Sequence, residues 1–481
     1  MIVASVSPPA SGQIARLVAG HRGLEGVRRA VTDPFAYGFG PLLDHCLPNR
    51  SRRLAPMLVR SKYLPGRTLT AYYTLATGNH RYAPRHLALT WSVVPPDLDG
   101  LALLEREADV RGLVEPFSRL VASTPDGCLT LLLAPMDPAF PRLVRLSEPG
   151  YVTSTAASLA GRRTTSEREV RTVRYRPGRR HVLRVTTTEP IGIGSAHDPV
   201  LGEGGSGAAI VKLYRDGAGT RPIAVAAALD AALTAALPGV RPARSIGYVE
   251  ADQASWWTAE DGEPVWRRLS DLRAAGLLRR IGQALRVVHE AGPVPADAAW
   301  PCPLPSFPRT PPLPRYDAFA EMAATARAAE HIRGLLPQVG ARIRDVISQL
   351  GDGLAARPAE PATLIHGDLT CENVLVAGDE LRLIGLDRAC IAEPALDLGT
   401  FVADLWWWCA SLGVDARPAV AAFVDGYGPC DRVRLARAHG LAVLFHLKLA
   451  ARRIPIHHPE WAHHVIRAVR LAEDAVVGGP R

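Results

Sequence analysis

Between two apolar stretches runs His366-Gly367-Asp368-Leu369-Thr370-Cys371-Glu372-Asn373, followed by Val374-Leu375-Val376. The loop presents an aspartate and, five residues later, an asparagine. Phosphoryl transfer asks for this pair of roles. A carboxylate orients the attacking hydroxyl and takes its proton, and a neutral oxygen holds Mg²⁺ against nucleotide phosphates. Flanking strands would keep both groups still while substrates exchange. Lys212 is a second candidate. Only three of the 56 basic residues are lysines, Lys62, Lys212 and Lys448. A lysine kept in so arginine-biased a chain suits a site that needs a compact ammonium rather than a planar fork. His457, His458, His463 and His464 gather around Glu460. Their spacing matches no closed metal site and Pro459 interrupts the helix, so a solvated helix start is expected rather than a metal-dependent hydrolase. Trp406, Trp407 and Trp408 are consecutive in an apolar helical stretch. Successive helical side chains diverge by about 100°, so packing is expected there rather than one stacking platform. Cys371 has no flanking base, which argues against thiol chemistry.

The elements that must position these groups change character along the chain. Residues 59–75 (VRSKYLPGRTLTAYYTL) and 173–188 (VRYRPGRRHVLRVTTT) both contain Tyr, one residue, then Pro-Gly-Arg. Each predicts a strand–turn–strand hairpin, and together they suggest two related β-rich units. The stretch 189–208 is glycine-rich and reads as a loop, and AAIVKLYRD after it reads as a strand carrying Lys212. A helix is expected over 223–237, stopped by Pro238-Gly239. Two short strands follow in 244–263, then a helical pattern from Trp266 to His289. Residues 292–315 are proline-dense and read as a linker. Helical patterns return over 316–357, a compact β-rich piece spans 363–389, and helices dominate from about 396. The expected fold class is α+β.

Composition sets the outer limits. The 481 residues, 47% hydrophobic and 21% charged, can bury a large core and predict about three structural units. No apolar run reaches the roughly 18–20 residues needed to cross a bilayer. The first 20 residues lack the basic start and apolar block of a secretory signal. Seven cysteines without a CxxC pair do not outline a disulfide framework, so a cytoplasmic setting is expected. The balance of 56 Lys+Arg against 47 Asp+Glu gives +9. The charges are dispersed, without basic runs or aromatic–basic interleaving, which favours an anionic small ligand over nucleic acid.

HGDLTCENVLV resembles the catalytic loop of the aminoglycoside phosphotransferase family, a branch of the protein-kinase-like superfamily. ACIAEPALDLG (389–399) is similar to the family's closing segment, and IGQALRVVHEAG (281–292) to the helix that precedes its catalytic loop. The resemblance implies a protein-kinase-like two-lobed fold with an extra N-terminal β-rich cap domain. Its expected parts are a cap over 1–165 (a possible degenerate small-lobe repeat), an N-lobe over 166–262 and a helical C-lobe over 263–481. Maltokinases carry a comparable cap. The implied activity is transfer of the γ-phosphate of ATP, or GTP, with Mg²⁺, to a hydroxyl of an antibiotic, sugar or amino alcohol. Nucleic acid and membrane partners are not implied. Asp368 would be the catalytic base and Asn373 a metal ligand, with His366 and Asp397 bracing the loop. Lys212 would contact the α and β phosphates and pair with Asp230. The Pro177-Gly178 turn would cover the phosphates, and Thr258 to Asp261, including Glu260, would hold adenine through the backbone. Twelve residues before Asp397, where the family carries a metal-binding aspartate, stands Gly385. Asp387, two residues on, would reach the same face if the strand continues. Three readings stay open: Asp387 substitutes, Asn373 and water suffice, or the chain is a nucleotide-binding pseudokinase with a scaffolding role. Asp404 and Asp425 are the few acids of the C-terminal helices that could meet a cationic acceptor.

Overall fold

The computed structural model describes residues 11–47, 56–76, 84–160, 168–187, 208–291 and 312–478. The glycine-rich stretch 189–207 and the linker residues 292–311 lie outside them. The chain divides into two compact units, one of residues 1–216, 249–256 and 455–461, the other of 217–248, 257–454 and 462–481.

The first unit opens with three helices, Ser11–Val18, Gly23–Thr32 and Phe39–Cys46. They precede the β-rich part that the sequence led us to expect. These helices are two to three turns long, too short for a strong periodic signal, and form because Ile14, Leu17 and Val18, then Val27, Ala30 and Val31, bury together at helical spacing. Strands β1 (Pro56–Leu64), β2 (Thr68–Leu75), β3 (Arg85–Ser92), β4 (Val121–Ser123) and β5 (Leu129–Leu133) form an antiparallel sheet in the order β1-β2-β3-β5-β4. Along β2, Leu69, Ala71, Tyr73 and Leu75 are buried at the period of two that a strand requires. The helix Leu98–Val110 lies between β3 and β4 in the chain.

Strands β6 (Arg168–Arg176), β7 (Arg180–Thr187) and β8 (Ala208–Leu213) are antiparallel neighbours. The chain continues through the helix Thr220–Ala236, β9 (Val240–Pro242), β10 (Ser245–Val249) and β11 (Ala254–Thr258). The strand order is β10-β11-β8-β7-β6. This repeats the order of the first sheet, again with a long helix after the third strand. Both predicted hairpins are present, and both turns have a left-handed glycine, Gly66 at φ 70° and Gly178 at φ 72°. The tyrosine before each turn donates its hydroxyl to a main-chain carbonyl, Tyr63 to Val18 at 2.9 Å and Tyr175 to Met136 at 2.6 Å.

In the second unit, β12 (Glu263–Pro264) joins β9 in a sheet completed later in the chain. The expected long helix from Trp266 starts only at Ala274 and runs to Glu290, after a 3-10 turn over Val265–Arg268. Helices Ala318–Ala328, Glu330–Leu335 and Pro337–Ala355 follow. Next come β13 (Thr363–Ile365), β14 (Val374–Ala377), β15 (Glu380–Leu383) and β16 (Cys390–Ala392). Their pairings give a sheet β12-β14-β15-β9 and a separate ribbon β13-β16. Helices Ala395–Leu412, Ala416–Tyr427, Arg432–Arg453 and Trp461–Gly478 complete the chain. Leu398, Phe401 and Leu405 of the first of these, and Leu441, Leu444 and Leu447 of the third, are buried at helical spacing. Among the described residues no helix is long and apolar enough to cross a membrane.

Candidate active site

The loop 366–373 leaves the ribbon at β13 and enters the sheet at β14, while residues 384–389 make the return journey from β15 to β16. The two segments therefore run side by side. The Ile384 N–H donates to the Asn373 carbonyl at 2.9 Å, and His366 Nε2 donates to the Ile384 carbonyl at 3.1 Å. Because a carbonyl only accepts, this bond puts the proton on Nε2 and leaves Nδ1 to accept from the Asp368 N–H at 3.4 Å. Gly367 has φ 74°, and a Cβ there would sit 2.1 Å from the Arg388 carbonyl oxygen. Only glycine lets the segments approach this closely.

Beneath the loop lies Asp397, in the first turn of Ala395–Leu412 and fully buried. Its carboxylate accepts from the His366 N–H at 2.6 Å and the Gly367 N–H at 2.8 Å. His289 Nε2 stands 3.4 Å from the same carboxylate. Arg434 donates to the Tyr427 hydroxyl at 3.0 Å, and that hydroxyl is 2.9 Å from His289 Nδ1. A donation from Tyr427 to Nδ1 then leaves the His289 Nε2–H pointing at Asp397. Asp397 braces the loop, and His366 ties it to the neighbouring segment.

The middle of the loop has a second brace that the sequence did not reveal. The Cys371 N–H donates to Asp404 at 2.6 Å, and Arg453 lies 2.6 Å from the other oxygen of that fully buried carboxylate. Arg453 also reaches Glu372 at 3.3 Å. Asp404 is thus committed inside the fold and does not meet an acceptor cation, contrary to expectation. Asp425 is exposed but bonded to Arg279 at 2.8 Å. The signal was present: an aspartate inside the apolar helix FVADLWWW must find buried partners. Burial pushes the Asp404 carboxyl up, with Arg453 opposing, and pushes the Cys371 thiol well above its ordinary range, consistent with no thiol chemistry.

The Asp368 carboxylate and the Asn373 amide oxygen are two acceptors of the loop without a donor among the described residues. The partly exposed Asp368 carboxylate accepts no hydrogen bond among the described residues. Asn373 donates through Nδ2 to the Asp368 carbonyl at 2.8 Å, which turns Oδ1 the other way as an open acceptor. Against that amide sits Gly385, with φ 83°. A Cβ at 385 would lie 2.9 Å from Asn373 Oδ1 and Cγ. The strand does not persist past this point: β15 ends at Leu383, and Leu386–Arg388 form a 3-10 turn. The alternation that would aim Asp387 therefore does not apply. Asp387 sits in that turn, partly exposed.

The expected nucleotide-binding residues fall in both units. In the first, Lys212 lies on β8 opposite Val182. Pro177 and Gly178 form the β6–β7 turn, whose Gly178 N–H donates to the buried Asp137 at 2.7 Å and whose Gly178 carbonyl accepts from Arg215 at 2.7 Å. His181 Nε2 shares Asp137 at 2.7 Å. In the second unit, Asp230 is exposed on Thr220–Ala236 and makes no ion pair among the described residues. Thr258 donates its hydroxyl to Glu260 at 2.6 Å, and Glu260 also accepts the Arg244 N–H at 3.0 Å. These two side chains fix the segment, while the main chain of Ala259, Glu260 and Asp261 makes no backbone hydrogen bond among the described residues. Around the C-terminal histidines, Glu460 donates its N–H to His458 at 3.2 Å. Among the described residues no three His, Cys, Asp or Glu side chains are grouped as a metal site.

The sequence model of the phosphotransferase enzyme family (APH) matches residues 187–437, from the end of β7 past the 366–373 loop and the helix Ala395–Leu412. The chain belongs to this family. Its fold is accordingly α+β and protein-kinase-like, with an additional N-terminal β-bearing region. Several solved structures are similar over about two thirds of this phosphotransferase. An ethanolamine kinase of Plasmodium vivax is 11% identical, with TM-score 0.40, covering 63% of this chain and 82% of its own. A choline kinase of Cryptosporidium parvum is 11% identical, with TM-score 0.42, over 65% and 90%. The aminoglycoside phosphotransferase APH(3'')-Id of Streptomyces rimosus is 18% identical, with TM-score 0.36, over 62% and 97%. No curated protein matches.

Proposed function

We propose that this family member transfers the γ-phosphate of ATP to a hydroxyl of a small molecule. The observation that supports this reading is the selective bracing of the 366–373 loop. His366, Gly367 and Cys371 are tied down by Asp397, Ile384 and Asp404, and what stays open is the Asp368 carboxylate and the Asn373 amide oxygen. Asp368 orients the acceptor hydroxyl and takes its proton as the phosphoryl group departs. Lys212 is read as the phosphate-contacting cation, and the unengaged main chain of Ala259–Asp261 as the adenine-holding segment.

The chemistry implies Mg²⁺, and the residues fit it in the way magnesium is usually held. The ion takes one or two protein oxygens and fills the rest of its octahedron with phosphates and water. Asn373 Oδ1 is a pre-oriented neutral ligand, and Asp387, on the adjoining turn, is read as the carboxylate ligand in place of Gly385, which offers none. Bound there, the ion would neutralise charge on the β and γ phosphates. The acceptor classes that remain are antibiotic, sugar and amino alcohol, and the N-terminal region is read as a cap related to the small lobe.

A thermal-shift series with ATP and Mg²⁺, followed by turnover across an acceptor panel, tests the reading. Stabilisation by ATP with turnover on at least one hydroxyl acceptor is expected. Binding without turnover on any acceptor would favour a scaffolding pseudokinase, a reading that Gly385 keeps in play.

A further inference from the structure

In the first unit a cleft of about 250 Å³ lies among the helices Ser11–Val18 and Gly23–Thr32, the 3-10 turn Pro34–Tyr37 and β3. Its bottom is closed by the buried side chains of Ile14, Leu17 and Trp91. Trp91 Nε1 donates to the Tyr37 carbonyl at 3.3 Å, which fixes the turn against the strand. Arg22, Arg29 and Tyr37 line the cleft, and no carboxylate does. Arg22 stands over the Tyr37 ring, 5.9 Å from its centroid, within cation–π range. Neither guanidinium makes an ion pair or a hydrogen bond among the described residues, whereas the neighbouring Arg28 is bonded to Glu25 and to the Pro459 carbonyl. Gly26 makes room for Arg22. A Cβ at 26 would clash with the Arg22 Cβ and lie 3.4 and 3.5 Å from its Cγ and Cδ, so the arginine stem fills the space that a side chain would need. Glycine inside a helix is less favourable than alanine, and here that cost goes with the placement of a cation. Counted from the turn glycines Gly66 and Gly178, Thr90 takes the position in the first sheet that Lys212 takes on β8, and Trp91 that of Leu213. Successive strand residues face opposite sides. The cleft under Trp91 is therefore on the other side of its sheet from Thr90, and is no counterpart of the face that carries Lys212.

We propose that this cleft binds a small carboxylate with a flat apolar body. Arg22 and Arg29 take the carboxylate, because a planar guanidinium donates two parallel hydrogen bonds to it. The contact with Tyr37 steadies Arg22 for that role. The body rests on the apolar bottom, against Ala36 and Tyr37, as in small-molecule sites where apolar contacts accompany a few placed polar groups. A bare inorganic anion would gain nothing from that bottom. The inference does not rest on the kinase reading, since none of these residues belongs to the 366–373 loop or to the nucleotide-binding positions.

The test is calorimetric titration of the full-length protein with benzoate and phenylacetate, with benzamide, phenylacetamide and inorganic phosphate alongside, using wild type, R22Q and R29Q. Wild type is expected to bind at least one of the two carboxylates saturably, and each variant to bind it about tenfold more weakly or worse, since each loses a charge-assisted contact. The amides and phosphate are expected to show no saturable binding. Both arginines are exposed, so the variants are expected to melt with wild type. Should one melt lower, A36W keeps the test decisive. It fills the cleft from another exposed position, leaves both charges in place, and is expected to block the carboxylates. Failure of both carboxylates to bind wild type, affinity within about twofold of wild type in both arginine variants, or full affinity in A36W overturns the proposal. Binding of an amide or of phosphate as tight as that of the carboxylates overturns it too.

Discussion

Gly385 occupies the position where an aspartate was expected, and its surroundings show why none fits. The left-handed backbone and the Asn373 amide 2.9 Å from a would-be Cβ mean that any side chain must push that amide aside. Doing so breaks the hydrogen bond to the Asp368 carbonyl, at a cost of about 1 kcal/mol in stability, and turns the pre-oriented Asn373 oxygen away from where a metal ion would bind. Gly385→Asp is therefore expected to lower turnover and raise the Mg²⁺ needed for half-maximal rate, although it restores the family's residue. A rise in activity in Mg²⁺-titrated kinetics would contradict this. Asp387→Asn is expected to raise that Mg²⁺ requirement by about tenfold or more if the turn supplies the second ligand. Asp368→Asn should reduce kcat by about 10² to 10⁴ while leaving the melting temperature unchanged, since nothing in the fold leans on its carboxylate.

At the scale of elements, the loop is held by the N-terminal turn of one helix and by arginines on another. Asp397 alone takes two buried main-chain donors, and Asp397→Ala leaves both without a partner. Charge-assisted bonds of this kind are worth about 1.5–3 kcal/mol each, so a loss of about 3 kcal/mol or more is expected in urea unfolding followed by tryptophan fluorescence. Arg437 plays the matching part for Glu393, just before that helix. It makes a bidentate, buried pair at 2.5 and 2.8 Å and also donates to the Leu354 and Arg357 carbonyls. Removing one partner of such a pair costs about 3–5 kcal/mol, and Arg437→Ala is expected to fall in that range. The existence of these helices followed from apolar spacing. The braces did not, because Asp397 and His366 are 31 residues apart and Asp404 and Arg453 lie on different helices.

For the molecule as a whole, His446 links stability to pH. It is buried on Arg432–Arg453, and burial lowers its pKa from 6.5 to about 4, with the Ala468 carbonyl opposing. The unfolded chain therefore binds the proton first as pH falls. The stability that His446 contributes by staying neutral is whole above about 6.5 and is lost progressively as pH drops through about 4. Between pH 7 and 5 this amounts to about 2 kcal/mol. His446→Phe is expected to remove that part of the pH dependence, read from urea midpoints at the two pH values. The two sheets of shared strand order carry a separate lesson at this scale. Both Tyr-x-Pro-Gly-Arg hairpins are formed, and they open sheets of the same strand order, β1-β2-β3-β5-β4 and β6-β7-β8-β11-β10. The short helices before the first sheet were not foreseen, because their stability comes from packing rather than propensity.

The amino-acid order by itself determined the 366–373 loop between its two strands, the α+β succession of elements and both Pro-Gly hairpins, since each depends on spacing within one short stretch of chain. Tertiary structure alone decided that Asp404 is a buried brace and not an acceptor ligand, that Gly385 is filled by the Asn373 amide, and that the Pro177-Gly178 turn spends its N–H groups on its own unit. Each of these depends on which distant residue arrives at a given carboxylate, amide or N–H, and local patterns of polarity do not encode that choice.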